Sequence, residues 1–193
     1  MTIEQEAKFA AKMAMTIPGQ MRESELAFLY RLARQKGPIV EIGCLHGRST
    51  SVLMKAAEKF DAEVASIDPF METPNTTQPS AKFWRINLKV AGLPIPHLME
   101  MKSHEASPLY LSEIGLLFVD GGHSYEDISQ DIQDWVPKVK IGGLVAFHDM
   151  YQYAIPGVAR AVTEWWISTF EKGLAKWRFE GQADFLVAFR RVA

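Results

Sequence analysis

Asp120, His123, His148 and Asp149 are of the types that move protons and hold cations, and they fall just past two apolar runs, Gly115–Val119 (GLLFV) and Gly143–Phe147 (GLVAF). If these runs are neighbouring parallel strands, their ends share one edge of a sheet, about 5 Å apart. One or two carboxylates and a histidine then converge on a divalent cation. Oxygen ligands suit Mg²⁺, whereas an imidazole in the shell tilts preference toward Mn²⁺, Fe²⁺ or Zn²⁺. His123 lies in the loop Gly121-Gly122-His123-Ser124. An ordinary histidine has a pKa near ~6.5, so it is largely neutral at pH 7 and can accept a proton. A structural reading stays open beside this one: Ser124 caps a helix, Asp127 supports it, and His123 sits at its N-terminus. His148 reads equally as a core histidine. For Asp120 and Asp149 a purely structural role is less favoured, because acids facing a crevice are costly without partners.

A second constellation lies upstream. Glu41-Ile-Gly-Cys-Leu-His-Gly-Arg-Ser-Thr joins a β-branched run, Pro38–Ile42, to a helix. Gly43 and Gly47 let the backbone turn tightly and approach a ligand, and Ser49 sits near the helix N-terminus. The spacing is not GxGxxG, which weakens a dinucleotide reading. Asp68 ends the next apolar run, Glu63–Ile67, where an acid can accept hydrogen bonds from both ribose hydroxyls. Taken alone, Asp68 before Pro69 is also a turn former. Together with the glycine loop it points to a nucleoside site.

The elements that must carry these residues alternate. Helical spacing marks about Ile3–Met15, with Phe9, Met13 and Ile17 on one side, and a second helix from Glu23 carrying Leu26, Leu29, Tyr30 and Ala33 before Gly37-Pro38 stops it. Strand and helix then interchange: Pro38–Ile42, helix 47–60, Glu63–Ile67, helix 81–91, a weak strand at His97–Met101, Gly115–Val119, helix 125–135, Gly143–Phe147 and helix 158–170. Trp177–Glu180 and Phe185–Arg190, joined by Gly-Gln-Ala-Asp, read as a hairpin. The pattern predicts an α/β fold, a Rossmann-like, mostly parallel seven-stranded sheet with helices on both faces and a C-terminal antiparallel hairpin. Residues 1–193 read as a single domain, 1–36 forming N-terminal helices and 37–193 the core. Ligands collect at the strand C-terminal ends in such sheets, which is where the residues above fall.

The runs VEIGCLHGRST, SIDPF, FWRINLKVAGL and LFVDGGHSYEDISQDIQDWVPKVKIGGLVAFHD resemble class I S-adenosylmethionine-dependent methyltransferases. More narrowly they are similar to the group with the metal-dependent macrolide-sugar O-methyltransferases and the cephalosporin-hydroxylase-like proteins. The resemblance spans about Ile17 to Asp149 and implies an enzyme of that class. It implies that Glu41, Gly43 and Gly47 shape the S-adenosylmethionine pocket together with Ser49 and Asp120, that Asp68 holds the ribose, and that Ser103 and His104 contact the adenine, as in the catechol O-methyltransferases. It places a cation, Mg²⁺ or Mn²⁺, on Asp120, His148 and Asp149. His123 matches the general-base histidine of the sugar enzymes and the lysine of the catechol enzymes. Two positions depart: His148 stands where the sugar enzymes usually have Glu, and Met150 where the catechol enzymes have Asn. The expected reaction is O-methylation of a small hydroxylated acceptor, a sugar or phenol. A non-catalytic S-adenosylmethionine-binding protein and a nicotinamide oxidoreductase are the alternatives.

The remaining features set bounds. A net charge of −2 argues against binding nucleic acid by phosphate neutralisation. Cys44 is the only cysteine, so no intramolecular disulfide forms and a Cys-rich zinc site is excluded; it reads as a small apolar residue. The first residues lack an apolar signal region and no run approaches the ~20 residues of a membrane span, so a cytoplasmic protein without membrane contact is expected. Pro69–Ser80 reads as a loop over the site mouth. Met13, Met15, Ile17 and Met21 offer it an apolar wall. Adjacent Trp165 and Trp166 point to different sides of their helix, putting one in reach of an interface such as a homodimer's.

Overall fold

A computed structural model describes residues 1–71, 80–171 and 176–193. Seven strands form one sheet in the order β3-β2-β1-β4-β5-β7-β6: β1 (Ile39–Ile42), β2 (Val64–Ile67), β3 (His97–Met99), β4 (Ile114–Val119), β5 (Val139–Phe147), β6 (Trp177–Ala183) and β7 (Leu186–Arg191). The first five are parallel and β7 runs antiparallel to both β5 and β6. This is the Rossmann-like sheet with its C-terminal hairpin that the alternation predicts. Along the central strands successive side chains enter opposite faces, as the two-residue repeat requires. Ile39, Leu116, Phe118, Leu144 and Ala146 join one core with α1 (Ile3–Ala14), α2 (Glu23–Ala33) and α3 (Arg48–Ala57). Val40, Leu117, Val119, Val145 and Phe147 join the other with α6 (Tyr125–Trp135) and α7 (Pro156–Glu171). Both faces are covered, so these strands read as continuous apolar runs.

Register decides what meets at the rim. Ile42 pairs with Ile67 on one side and Val119 on the other, and Val119 pairs with Phe147. The chain therefore leaves β1, β2, β4 and β5 at one level, placing Gly43, Asp68, Asp120 and His148 in a row. Strand order reverses beside β1, where neighbours β2 and β4 leave a crevice between their connections.

Several expectations need correction. Helix α1 packs through Ala7, Ala10, Ala11 and Ala14, while Phe9 and Met13 are more than half exposed; small residues let α1 lie close against α2, and the large ones stay outside. The hairpin turn is Asp184-Phe185, not Gly-Gln-Ala-Asp, because Gly181, Gln182 and Ala183 continue the ladder opposite Ala188, Val187 and Leu186. Asp184 adopts φ 45°, the left-handed turn conformation Asp tolerates. Trp165 and Trp166 both pack on Phe189, with ring centres 5.5 and 5.2 Å away, and both are partly buried. A short helix α5 (Ser103–Ala106) and helix α4 (Ala81–Val90) complete the α-helices among the described residues, with 3₁₀ turns at Ser107–Leu109 and Val136–Lys138. None of these is long and apolar enough to cross a membrane.

Candidate active site

The β1–α3 connection is a tight turn built from left-handed residues, Gly43 at φ 83°, Leu45 at φ 43° and Gly47 at φ 93°. A Cβ on Gly43 would fall 2.0 Å from the carbonyl oxygen of Asp120, so this turn touches the end of β4 and only glycine fits. Leu45 is strained for a branched side chain, and Asp68 holds it: Oδ2 accepts from the N–H of Cys44 (2.9 Å) and of Leu45 (2.8 Å), while Oδ1 accepts from Phe70 N–H at 2.6 Å. Asp68 thus locks the glycine turn against the end of β2 and faces the crevice. Glu41 sits behind the turn, fully buried. Its Oε2 accepts from Thr50 Oγ1 (2.6 Å) and Ser66 Oγ (2.7 Å), and Oε1 has no partner among the described residues. Burial outweighs the hydroxyls of Ser49, Thr50 and Ser66 and pushes its carboxyl up to about 7. Gly47 caps α3 and packs against Trp84. Neither Glu41 nor Gly47 lines the cavity, so both shape the turn from outside it.

At the β4 and β5 ends the charges interlock. His148 is 5% exposed. Its Nδ1 lies 3.1 Å from Asp120 Oδ1 and 3.3 Å from Asp149 Oδ1, and its Nε2 lies 3.2 Å from Oε2 of Glu25. Burial alone would depress its pKa, but Asp120, then Asp149 and Glu25, reverse this and push it up to about 12. His148, an expected cation ligand, lies among three acids, Asp120, Asp149 and Glu25, and is not in the group of donor atoms that converge. Donor atoms of Asp120, His123 and Asp149 instead lie within 4.8 Å of one another. Two carboxylates and an imidazole are a set that fits Mn²⁺ better than Mg²⁺, whose preferred donors are oxygens. His123 Nε2 is 3.0 Å from Asp149 Oδ2, a contact that raises the His123 pKa more than burial lowers it. Burial opposes ionisation of Asp149, yet His123 and His148 together hold its carboxyl far below the usual range. Asp149 takes φ 60°, the turn that brings it round beside Asp120. Ser124 does cap α6, accepting from Asp127 N–H at 3.0 Å, so the helix start and the histidine share one loop.

A cavity of about 950 Å³ joins the two constellations. Gly43, Ser49, Asp68, Ser103, His104, Asp120, His123, His148 and Asp149 all line it. Of the proposed apolar wall only Met21 does; Met13 and Met15 face solvent and Ile17 is buried elsewhere. The expected lid over Pro69–Ser80 falls largely on residues 72–79, outside the described residues. Two acids escaped sequence reasoning. Glu25 reads as the third residue of a helix cap, and its Oε2 does accept from Arg22 N–H at 2.7 Å, but it is completely buried against His148 and also accepts from Phe185 N–H at 2.9 Å. Asp131 reads as a surface helix acid, yet it is 3% exposed and lines the cavity.

A family model described as a methyltransferase domain matches residues 40–150, more than half of the chain. The O-methyltransferase NovP superposes with a TM-score of 0.71 at 16% identity, covering 99% of this chain and 98% of NovP. The S-adenosylhomocysteine-bound methyltransferase PaMTH1 of Podospora anserina gives 0.64 at 14% identity over 100% and 89%. TomG of Streptomyces achromogenes, an O-methyltransferase of tomaymycin synthesis solved with S-adenosylmethionine, gives 0.64 at 16% identity over 98% and 90%. At these identities the likeness is one of fold. A 38-residue stretch, 20% of this chain, is 45% identical to y4gI of Sinorhizobium fredii, an uncharacterized protein of whose length it spans 4%.

Proposed function

The chain belongs to the methyltransferase-domain family, and on that premise we propose that it transfers the methyl group of S-adenosylmethionine to a hydroxyl oxygen of a small acceptor, a sugar or phenol, with His123 taking the proton. The observation that carries this reading is the contact of His123 Nε2 with Asp149 at 3.0 Å, beside Asp120, in the same cavity as Asp68 and the Gly43 turn. S-adenosylmethionine brings a methyl already activated on a sulfonium, so the protein must orient the acceptor and remove its proton. Asp68 and the Gly43 turn hold the ribose in this reading, with Ser103 and His104 toward the base. His123 is the more exposed imidazole of the pair, with its side chain 41% exposed against 4% for His148. It can reach an acceptor while Asp149 orients it and stabilises its protonated form. Asp120 and Asp149, with His123 adjoining, would hold a divalent cation, whose Lewis acidity would favour loss of the hydroxyl proton.

Incubation with methyl-labelled S-adenosylmethionine and a panel of sugars and phenols tests this, with the methylated atom located by mass spectrometry. Label on acceptor oxygen is expected. His123→Ala should reduce turnover at least about 100-fold, the usual worth of a general base, and leave S-adenosylhomocysteine affinity within a few-fold. Unchanged turnover in that variant removes the proton-acceptor role. An unaltered rate after chelation removes the cation.

A further inference from the structure

Asp131 is a carboxyl group that neither the fold nor the reaction above uses. It lies on α6, is 3% exposed, and lines the cavity. Oδ1 is bonded to Ser103 Oγ, and Oδ2 has no hydrogen-bond partner among the described residues. Burial pushes this acid up to about 6. At neutral pH the group is still mainly ionised, so it offers a lone pair without a donor. Its surroundings fix which part of a ligand it meets. Ser103 follows β3, the outermost parallel strand, and its carbonyl is held by Trp135 Nε1 at 3.2 Å. A Cβ on Gly121 would lie 3.6 Å from Asp131 Oδ2, so the carboxyl stands between the connections that follow β3 and β4. The reacting groups His123 and Asp149 lie toward β5, and Asp68 follows β2 between the two ends. A nucleoside with its ribose at Asp68 and its reactive end toward His123 must direct its base toward β3.

We propose that Asp131 is the residue that selects the purine base, accepting a hydrogen bond on Oδ2 from the exocyclic amine of adenine while Ser103 fixes Oδ1. The inference rests on the nucleoside reading above and adds a specificity to it. A 6-oxo purine would set a carbonyl oxygen against the carboxylate, two acceptors with no proton between them, whereas a 6-amino purine supplies the proton. Sites that bury a hydrogen-bonding group reject ligands that leave it unpaired more strongly than sites that merely exclude bulk.

Calorimetric titration of the whole chain with S-adenosylhomocysteine and with S-inosylhomocysteine, which differ at that one group, tests the assignment. The unmutated chain should bind the adenosyl compound about 10- to 100-fold more tightly, the worth of a hydrogen bond to a charged group. Asp131→Asn keeps the shape and can turn its amide NH₂ toward a 6-oxo group; it should lose most of that preference, through weaker adenosyl binding and equal or tighter inosyl binding. Ser103→Ala, which frees the carboxyl to rotate, should narrow the preference by a smaller factor and serves if Asp131→Asn does not fold. Equal binding of the two compounds by the unmutated chain overturns the assignment and leaves the nucleoside site standing. So does an Asn variant that folds and keeps the full preference. Binding of neither compound overturns the nucleoside site and the assignment together.

Discussion

At Glu41, burial and hydrogen bonding pull in opposite directions, and burial wins. The folded chain keeps this proton up to about pH 7, whereas an unfolded chain releases it near 4.5. Between those values the folded state binds more protons, so the stability Glu41 contributes is full below 4.5 and is lost as pH rises through 7. Glu41→Gln removes that dependence. Relative to the unmutated chain its melting temperature should rise between pH 5 and 8, with a gain at pH 8 of about 1–3 kcal/mol; a constant difference across that range would mean that Glu41 is ionised in the fold throughout. Gly43 makes a second point at this scale. Its missing Cβ leaves the Asp120 carbonyl room at a φ of 83°, so Gly43→Ala must shift the turn away from β4. Loss of stability by about 2 kcal/mol or more is expected, with loss of S-adenosylhomocysteine binding in whatever remains folded. Residue types and strand-end positions place Asp120, His123, His148 and Asp149 at one rim, where all four line the cavity. They do not show that Glu25, a residue 123 positions before His148 with no local mark of burial, lies against His148.

Helix α2 does more than cover the sheet. Its N-terminal turn is tied to the β6–β7 turn by Arg22 and Ser24 on Asp184 and by Glu25 on Phe185 N–H. Glu25 then reaches Nε2 of His148, so the helix start, the hairpin and the cation-like imidazole form one unit behind Asp120 and Asp149. Removing one partner of a buried charged pair leaves the other exposed to the full cost of burial, about 3–5 kcal/mol. Glu25→Ala should therefore lower the melting temperature sharply. Glu25→Gln, which keeps an acceptor for Phe185, should recover part of the loss; equal stability of Glu25→Ala and the unmutated chain would show that His148 does not depend on α2. Elements were legible where composition was lopsided. The runs IVEI, VASI and GLLFV are apolar because both faces are covered, and they fall on β1, β2 and β4. Strand β3 was faint because it has three residues, only Met99 of them buried. Helix α5 was missed because four residues carry no period. The hairpin turn was misplaced because Gly181 resembles a turn residue but occupies the ladder.

For the whole molecule, one edge of the sheet carries the chemistry. Parallel strands in register deliver Gly43, Asp68, Asp120 and His148 to one level, and the reversal of order beside β1 opens the cavity there. Sequence order and apolar alternation predicted that edge; the depth of the cavity and the burial of Asp131 and Glu25 arise from packing between distant segments, which no local pattern records. We propose that this cavity is an S-adenosylmethionine site. Calorimetry on the purified chain with S-adenosylhomocysteine and, separately, with NADH tests it most directly. One S-adenosylhomocysteine per chain, lost in Gly43→Ala, and no heat with NADH is the predicted result. Saturable binding of NADH with none of S-adenosylhomocysteine would contradict it.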